Sequence, residues 1–313
     1  MRFISAAEIR SVLDFSTLIA ALDEAHRRPE IEVQDGFMGS EGEQYFVRHA
    51  VDPGRYMASK LITSFPANLS RGALPAVQAA CVLFDGSDGR PLAVLDGTEI
   101  TWWRTAADSA LGARYLAPEA PETLLVVGAG KISTWLVRAH RTVRPSLRRV
   151  LVWNRTAARA AEVAGALAAE GIAAEAVTEL DAAVAAADMI TACTRSHAPL
   201  IKGALLRPGV HVDLVGGYTP QTREADDEAV RRALVFVDRR HSAFAGVGDI
   251  LQPIASGALA KEDILGELAD LASGRVRGRR SASDITLYKN AGGAHLDRLT
   301  SEVVFRRLDA TAG

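Results

Sequence analysis

The chain has 313 residues, of which 48% are hydrophobic and 24% are charged. These fractions are ordinary for a globular protein and exclude a mainly disordered chain, and the length suggests about two domains. Lysine and arginine total 36 against 38 aspartates and glutamates, so a formal net charge of −2 leaves no overall field to hold nucleic acid. Two cysteines are too few for a disulfide framework.

The N-terminal residues, the apolar runs and the histidine spacing predict neither a membrane segment nor a metal site. The first residues turn polar quickly and lack a signal-peptide core, and no apolar run reaches about 18 residues without charges. The histidines show no zinc-like spacing. We therefore expect a cytoplasmic protein with no membrane segment, no nucleic-acid partner and no metal.

The first part of the chain predicts a mixture of helices and antiparallel strands. Ser5 and Glu8 match the S-x-x-E capping box of a helix start. Apolar or alternating segments between turn residues then predict strands at Tyr45–Ala50, Tyr56–Thr63, Ala76–Phe84 and Pro91–Leu95. A helix follows from Thr98, its predicted cap, to about Ala117, and Pro118 ends it.

From residue 123 onward, apolar strand segments alternate with helical patterns, which predicts a parallel sheet with helices on both faces. The predicted strands are Leu124–Val127, Arg149–Trp153, Ala174–Val177, Met189–Ala192, Val210–Val215 and Leu234–Val237. The fold class is therefore α/β, with a Rossmann-type doubly wound domain at 119–291. An α+β domain is expected at 1–118 together with 292–313, since the last helix is expected to return to it.

A glycine-rich loop gives the most specific local signal. It follows an apolar strand, opens a helix, and consists of Gly128, Ala129, Gly130, Lys131, Ile132 and Ser133. The first glycine allows a tight turn and the second lets a pyrophosphate approach the backbone at the helix N-terminus. This context predicts a dinucleotide-binding loop, whereas the motif alone would be weak.

The end of the second predicted strand indicates which dinucleotide binds. An NAD-binding fold places an acidic residue near this point to hold the ribose hydroxyls, but here the chain has Asn154, Arg155 and Thr156. The planar guanidinium of Arg155 suits a ribose 2′-phosphate. The sequence therefore predicts NADP(H) in preference to NAD(H), unless Arg155 is only a solvated loop charge.

Four motifs together resemble the ornithine cyclodeaminase/mu-crystallin family over nearly the whole chain. Besides the glycine loop they are Tyr56–Lys60 followed by Phe65–Asn68, Trp103–Ala110 and Val215–Pro220. The resemblance implies a homodimer, with substrate binding and dimerisation in the α+β domain and the nicotinamide cofactor in the Rossmann domain. Members of this family handle an amine or imine beside a carboxylate.

The resemblance also implies site residues. Lys60 matches the family's substrate lysine, which can orient a carboxylate or transfer a proton. Arg104 matches the arginine that contacts substrate and cofactor, although a helix-surface salt bridge is the alternative. Further cofactor contacts follow at Thr194 on the adenosine side, and at Leu214, Val215, Asn290 and Ala291 near the nicotinamide. Thr194 could equally be a strand-end hydrogen bonder.

Two departures from the family pattern bear on the reaction. Cyclodeaminases of this family have an aspartate directly after the paired glycines. This chain has Tyr218 at that substrate-site position, and a tyrosine side chain is neutral near pH 7. The family's upstream carboxylate-binding arginine is also missing from Val33–Phe37. Arg48 or Arg71 could replace it.

We therefore predict NADPH-dependent reduction of a small cyclic 2-imino acid, such as pyrroline- or piperideine-2-carboxylate, with Lys60 and Arg104 as the catalytic pair. One alternative is ornithine cyclodeaminase, which would need another base, for example Asp213. The other is a ligand-binding protein of the mu-crystallin kind that depends on NADPH. In each case the partner is a small imino acid, amino acid or comparable ligand.

Overall fold

The computed structural model describes residues 1–40, 43–68, 72 and 74–312. Arg71 therefore lies outside the described residues. The chain divides into two compact units, the first formed by Met1–Arg104 with Gly293–Gly313 and the second by Thr105–Gly292. The predicted division at 118/119 and 291/292, as a statement of which part carries which function, stays a prediction.

In the described part of the chain, the strands are β1 Arg2–Ile4, β2 Glu32–Ser40, β3 Glu43–Asp52, β4 Tyr56–Ser64, β5 Val77–Asp85, β6 Pro91–Asp96, β7 Thr123–Val127, β8 Arg149–Trp153, β9 Ala174–Val177, β10 Met189–Ala192, β11 His211–Leu214, β12 Leu234–Val237, β13 Ile264–Glu267 and β14 Thr286–Lys289. The α-helices described there are α1 Ala6–Val12, α2 Phe15–His26, α3 Gly97–Leu116, α4 Ile132–Val143, α5 Ala157–Ala169, α6 Leu180–Ala186, α7 Asp227–Arg232, α8 Arg240–Phe244, α9 Gly248–Ala255, α10 Leu268–Ala272 and α11 Ala294–Ala312.

The first unit is built on a sheet whose described strands run in the order β1-β6-β5-β4-β3-β2. Strands β2 to β6 pair antiparallel in sequence order and β1 pairs parallel to β6, which confirms the predicted strands of this region. Strand β2 was not predicted, because Gln34, Asp35, Gly36 and Gly39 break the apolar alternation that marks a strand.

Helix α11 covers one face of this sheet and contacts β3, β4 and β5. Small or branched apolar side chains, among them Ala50, Ala58 and Ile62, are buried on the sheet. Their alternation along β4 places Lys60 on the same face, because side chains two residues apart point the same way.

Helix starts follow local hydrogen bonding. The Ser5 and Glu8 capping box is present as predicted, with Ser5 accepting from the Glu8 backbone and Glu8 accepting from the Ser5 backbone. The prediction of Thr98 as the cap of α3 was wrong, since the Asp96 carboxylate accepts the Glu99 N–H at 2.9 Å. Because Asp96 caps the helix two residues before the predicted position, α3 begins at Gly97.

The second unit contains a parallel sheet with the order β13-β12-β14-β11-β10-β7-β8-β9 among the described strands. The run β9-β8-β7-β10-β11 is the Rossmann arrangement, with the order reversing between β7 and β10, so the predicted α/β class is confirmed. Strand β14 lies between β11 and β12. It therefore brings Lys289 beside Leu214 at the carboxyl edge. Across the described residues, no helix is long and apolar enough to cross a bilayer.

Candidate functional site

Lys60 is the buried lysine at the centre of the first unit. It lies in the middle of β4 and is 2% exposed. Its Nζ donates a hydrogen bond to Oδ1 of Asp297 at 2.9 Å. Asp297 is in the first turn of α11, where a carboxylate is also favoured by the helix dipole. The final helix therefore supplies the counterion of a lysine that lies 237 residues earlier.

Arg104 meets the same carboxylate. Its Nε lies 3.3 Å from Oδ1 of Asp297, and the residue is buried. The α3 segment that carries it is fixed within this unit by Glu99, which pairs with Arg10 at 2.6 Å and accepts from the Trp103 indole at 3.1 Å. The alternative of a surface salt bridge for Arg104 does not describe this buried position.

Arg104 and Asp297 each have a buried polar atom whose hydrogen-bonding capacity is not satisfied. Among the described residues, Nε of Arg104 and Oδ2 of Asp297 are buried and have no hydrogen-bond partner. Buried polar groups without partners are uncommon in folded proteins and deserve a functional explanation. An added polar ligand would satisfy the arginine.

Arg48, one candidate for the missing upstream arginine, lies beside the pair. It is the direct cross-strand partner of Lys60 in the β3–β4 ladder. Its Nε is 3.5 Å from Oδ2 of Asp35 on β2 and makes no hydrogen bond within the described residues. The sheet therefore carries two cations side by side and helix α3 adds a third. We call Arg48, Lys60, Arg104 and Asp297 the cationic cluster.

The electrostatics of the cationic cluster favour an anion. Burial, helped by the nearby charges of Arg104 and Arg48 and opposed by Asp297, lowers the pKa of Lys60 to about 8. Burial alone would raise the pKa of Asp297, but Lys60 and Arg104 outweigh it and hold that pKa below its usual value. With three cations against the carboxylates of Asp297 and Asp35, an excess positive charge remains, and the cluster gains stability when a monoanion such as a substrate carboxylate binds.

The glycine loop of the second unit has the shape that a diphosphate requires. Gly128 has φ 115°, and a Cβ there would lie 3.0 Å from the Cys193 carbonyl oxygen. Nothing in the described structure lies within 4 Å of a Cβ added at Gly130. The buried hydroxyl of Ser133 donates to the Gly128 carbonyl at 2.9 Å, which ties the helix start to the turn. The N-cap residue of helix α4, Lys131, makes no side-chain capping hydrogen bond, and the first turn of the helix has no acidic residue.

The segment after β8 is exposed and free of acidic side chains. Arg155 and Thr156 are exposed, and the Asn154 side chain donates to the Thr156 carbonyl at 3.0 Å. Helix α5 follows directly, and its cap residue Thr156 makes no side-chain capping bond. Arg159 lies exposed in the first turn of that helix. These groups can receive a phosphate.

The remaining predicted cofactor residues lie at the carboxyl ends of β10, β11 and β14. Thr194 donates through its backbone N–H and its hydroxyl to Glu224. The Leu214 side chain is part of the buried core.

Asn290 donates to Ser109 and to the Thr105 carbonyl, both at 3.0 Å. Val215 and Ala291 are half-buried beside them and Tyr218 is exposed. Contact of these residues with a cofactor or substrate stays a prediction.

Asp213, the base considered for a cyclodeaminase, is committed elsewhere. It is buried within β11 and accepts hydrogen bonds from Thr191 at 2.7 Å and Ser109 at 3.0 Å. The ring of His140 lies 3.3 Å away on the second oxygen. A carboxylate with these partners serves the packing of the unit and offers no free oxygen toward a substrate.

The described residues contain no group of three or more His, Cys, Asp or Glu side chains that could hold a metal ion.

Sequence reasoning missed Asp297 and Glu224. Asp297 occupies a helix first turn, where acidic residues are common for local reasons, so its position alone indicated nothing. The available signal was its place beside Leu296 and Leu299, which face the core. Glu224 follows the turn motif that ends at Pro220, and no pattern in the sequence shows that it folds back beneath the paired glycines.

Comparison with known proteins agrees with these features. The ornithine cyclodeaminase/mu-crystallin family model matches residues 42–312. The Delta(1)-pyrroline-2-carboxylate reductase of Paracoccus denitrificans is 40% identical over 307 residues, covering 97% of this chain and 96% of that protein. The ketimine reductase mu-crystallin of Rattus norvegicus is 34% identical over 249 residues, covering 80% and 75%.

A solved structure shows the same likeness over the full length. It is the Delta(1)-pyrroline-2-carboxylate reductase of Thermococcus litoralis in complex with NADH and L-proline, at a TM-score of 0.93 and 26% identity. The match covers 100% of this chain and 98% of that one. The chain belongs to the ornithine cyclodeaminase/mu-crystallin family.

Proposed function

We propose that the chain is an oxidoreductase acting on C=N bonds, and that it reduces cyclic 2-imino acids of the pyrroline- and piperideine-2-carboxylate type with NADPH. The observation that carries the proposal is the buried cationic cluster, in which Lys60 and Arg104 share Asp297. Relatives named as Delta(1)-pyrroline-2-carboxylate reductases at 40% and 33% identity support the substrate class.

Arg104 and Arg48 would bind the substrate carboxylate. The Nε of each arginine is buried and without a hydrogen-bond partner in the described structure. A guanidinium can hold a carboxylate through two parallel hydrogen bonds, which also fixes the orientation of the ring that carries the C=N bond. A monocarboxylate would bring the charge of the cluster closer to balance.

Lys60 would supply the proton to the imine nitrogen. Reduction adds a hydride to the imine carbon and a proton to the nitrogen, so that C=N becomes CH–NH. Because burial brings the pKa of Lys60 to about 8, its ammonium is a better acid than an exposed lysine and is still protonated at neutral pH. Asp297 would hold the Nζ in place and stabilise its charged form.

The second unit would bind the cofactor. The open space over Gly130, the positive φ of Gly128 and the uncapped start of α4 fit a diphosphate. When bound, the reduced dinucleotide supplies a hydride from C4 of its nicotinamide ring. The protein's part is to orient the two reactants and to exclude water from the cationic cluster.

The test is NADPH oxidation with a panel of cyclic and linear imino acids, run beside ammonia release from ornithine. We expect turnover with the cyclic 2-imino acids, proline or pipecolate as product, and no ammonia from ornithine. Ammonia release from ornithine without net NADPH oxidation would identify a cyclodeaminase instead. Ligand binding without turnover on any imine would identify a binding protein.

We further propose that the chain binds NADP(H) in preference to NAD(H), because Arg155 would bind the ribose 2′-phosphate. The change Arg155→Ser should weaken NADPH binding by about 10- to 100-fold, because a charge-assisted hydrogen bond contributes about 1.5–3 kcal/mol. NADH binding should change by less than about twofold, since it has no 2′-phosphate. Dissociation constants from the quenching of protein fluorescence would measure both.

The matched control for Arg155 is Arg195→Ser, an exposed arginine of the same unit on the loop that follows β10. It should leave both affinities near their wild-type values. If wild-type protein binds NADH as tightly as NADPH, or if both variants weaken NADPH equally, the assignment of the 2′-phosphate to Arg155 is wrong.

A homodimer is part of the proposal, with the edge strand β2 as its contact. Phe37 is 69% exposed and Met38 is 61% exposed on this strand. Phe37 stacks on Phe46 of β3 with ring centroids 5.3 Å apart. Exposed apolar side chains along an unpaired strand edge are a typical interaction surface.

The double change Phe37→Ser with Met38→Lys should convert the dimer to a monomer of 33.3 kDa on light scattering after gel filtration. The control is Phe3→Ser, which removes an equally exposed aromatic from β1 at the opposite edge of the sheet. A dimer that survives the double change, or is lost in the control, would move the interface away from β2.

A further inference from the structure

Three ionisable side chains of the second unit are buried together behind the turn that follows β11. They are Glu224, Asp249 and Lys289. Nζ of Lys289 lies 3.0 Å from Oδ2 of Asp249, and Oδ1 of Asp249 accepts the Glu224 N–H at 2.7 Å. We call these three residues the buried triad. The reduction described above has no use for them as proton donors or substrate ligands.

The buried triad holds the backbone of the neighbouring loops. Glu224 accepts from the Gly216 N–H at 2.7 Å, from the Thr194 N–H at 2.6 Å and from the Thr194 hydroxyl at 2.9 Å. Lys289 donates to the Gly216 carbonyl. The N–H and the carbonyl of Gly216 are thus both held by side chains of the buried triad. Burial and the neighbouring Asp249 raise the pKa of Glu224 to about 8, whereas the Lys289 ammonium makes a stronger hydrogen bond than a neutral donor.

The same carboxylates explain why two glycines stand in succession. A Cβ at Gly216 would lie 2.1 Å from the Thr194 carbonyl oxygen and 2.6 Å from the Glu224 carboxyl group. Gly217 has φ 59°, and a Cβ there would lie 2.0 Å from Oδ2 of Asp249. The turn and the buried triad therefore require each other.

Burying three ionisable groups is unfavourable unless each is well paired, and apolar side chains of similar volume would often stabilise a fold as well. Stability of the fold alone therefore does not explain why ionisable side chains occupy these three positions. The segment they hold is at the carboxyl edge of the parallel sheet, where ligands bind in doubly wound folds. It includes Val215, which is separate from the glycine loop and from Arg155, and Thr194, whose neighbour Cys193 lies against Gly128 of that loop.

We propose that Glu224, Asp249 and Lys289 are positioning residues that fix residues 215–217 as the wall of the cofactor site for the nicotinamide half of the dinucleotide. This inference rests on the proposed function, since it requires a nicotinamide cofactor. The glycine loop and residues 154–156 hold the phosphates and the adenosine half. The triad therefore affects one half of the ligand and leaves the other unchanged.

The experiment compares NADPH with 2′-phospho-ADP-ribose, which lacks the nicotinamide, by titration calorimetry. In Glu224→Gln, one amide N–H group must face a backbone N–H, which leaves a buried backbone donor unpaired and should weaken NADPH binding by about tenfold. The affinity for 2′-phospho-ADP-ribose should stay within about twofold of wild type. The control Glu228→Gln alters an exposed glutamate of α7 and should change neither.

Gly217→Ala tests the steric half of the inference. Its control is Gly257→Ala. Gly257 has φ 73°, and no atom of the described structure lies within 4 Å of a Cβ added there, so this change introduces the left-handed backbone strain without the clash. We expect the same selective loss of NADPH affinity in the first variant alone. If Gly217→Ala does not fold, Glu224→Gln decides the matter.

Hydride transfer gives a second readout. If the ring is held less well, the primary isotope effect with 4-deuterated NADPH should rise in Glu224→Gln, whereas a smaller fraction of folded protein would leave it unchanged. Equal weakening of the two nucleotides, or wild-type values for both, would overturn the positioning role. Failure of the proposed function would show differently, as no NADPH oxidation by the wild type with any imino acid.

Discussion

Replacing Lys60 by methionine is expected to lower kcat for reduction of a cyclic 2-imino acid by about 10²–10⁴-fold, the range for loss of a general acid. Methionine keeps most of the side-chain volume in the sheet but removes the proton and the charge. NADPH affinity should be unchanged, because Lys60 is not among the residues proposed to bind the dinucleotide. Steady-state rates and NADPH titration of the same preparation would measure both quantities.

The control for this change is Lys202→Met, which removes an exposed lysine paired with Asp181 at 2.6 Å. It should keep the wild-type rate. Turnover that survives in Lys60→Met would exclude Lys60 as the proton donor. An equal loss of NADPH affinity and of rate would assign the lysine to cofactor binding.

Replacing Asp297 by asparagine is expected to change both the pH profile and the stability. Asp297 raises the pKa of Lys60, so its removal should bring that pKa below about 8. The acid form of Lys60 is the active one in reduction. The alkaline limb of kcat/KM should therefore move to lower pH by about one unit or more.

The effect of Asp297→Asn on stability has a definite sign. Two buried cations lose their shared carboxylate, which should lower the free energy of unfolding by about 3–5 kcal/mol at neutral pH. The folded pKa of Lys60 is below its unfolded value of 10.5, so between about 8 and 10.5 the unfolded chain binds more protons and stability rises with pH. Wild type and variant share this rise between about 8 and 10.5. Because Lys60 of the folded variant loses its proton below about 8, the loss of stability in the variant should shrink as the pH rises toward about 8 and stay constant above it.

Urea unfolding at several pH values, together with pH–rate profiles, would measure these shifts. Asp309→Asn, on the exposed face of the same helix, is the control and should leave both unchanged. An alkaline limb that stays at its wild-type pH in Asp297→Asn would mean that a group other than Lys60 donates the proton.

Local patterns predicted much of the fold because they act over short distances. The capping box at Ser5, the strands of both sheets and the glycine turn at Gly128 depend on residues within one element or one turn. Strand β2 escaped because its polar and glycine residues resemble a loop. The insertion of β14 between β11 and β12 depends on pairing between distant strands, and the sequence of β14 itself does not specify its neighbours.

The site was predicted only in part for the same reason. Resemblance to the family indicated Lys60 and Arg104, and the structure brings both to one carboxylate. Asp297 joins them only because α11 lies across β4, a tertiary contact between segments 237 residues apart. Arg48 was one of two candidates in the sequence, and the pairing register of β3 and β4 places it next to Lys60.

The most direct test of the proposed reduction is the fate of the hydrogen at C4 of the cofactor. Pyrroline-2-carboxylate would be incubated with the protein and with NADPH deuterated at C4, each diastereomer in turn, and the proline examined by NMR. We expect deuterium at C2 of proline from one diastereomer, in amounts equal to the NADPH oxidised. Proline that carries no deuterium from either diastereomer would contradict hydride transfer to the C=N carbon.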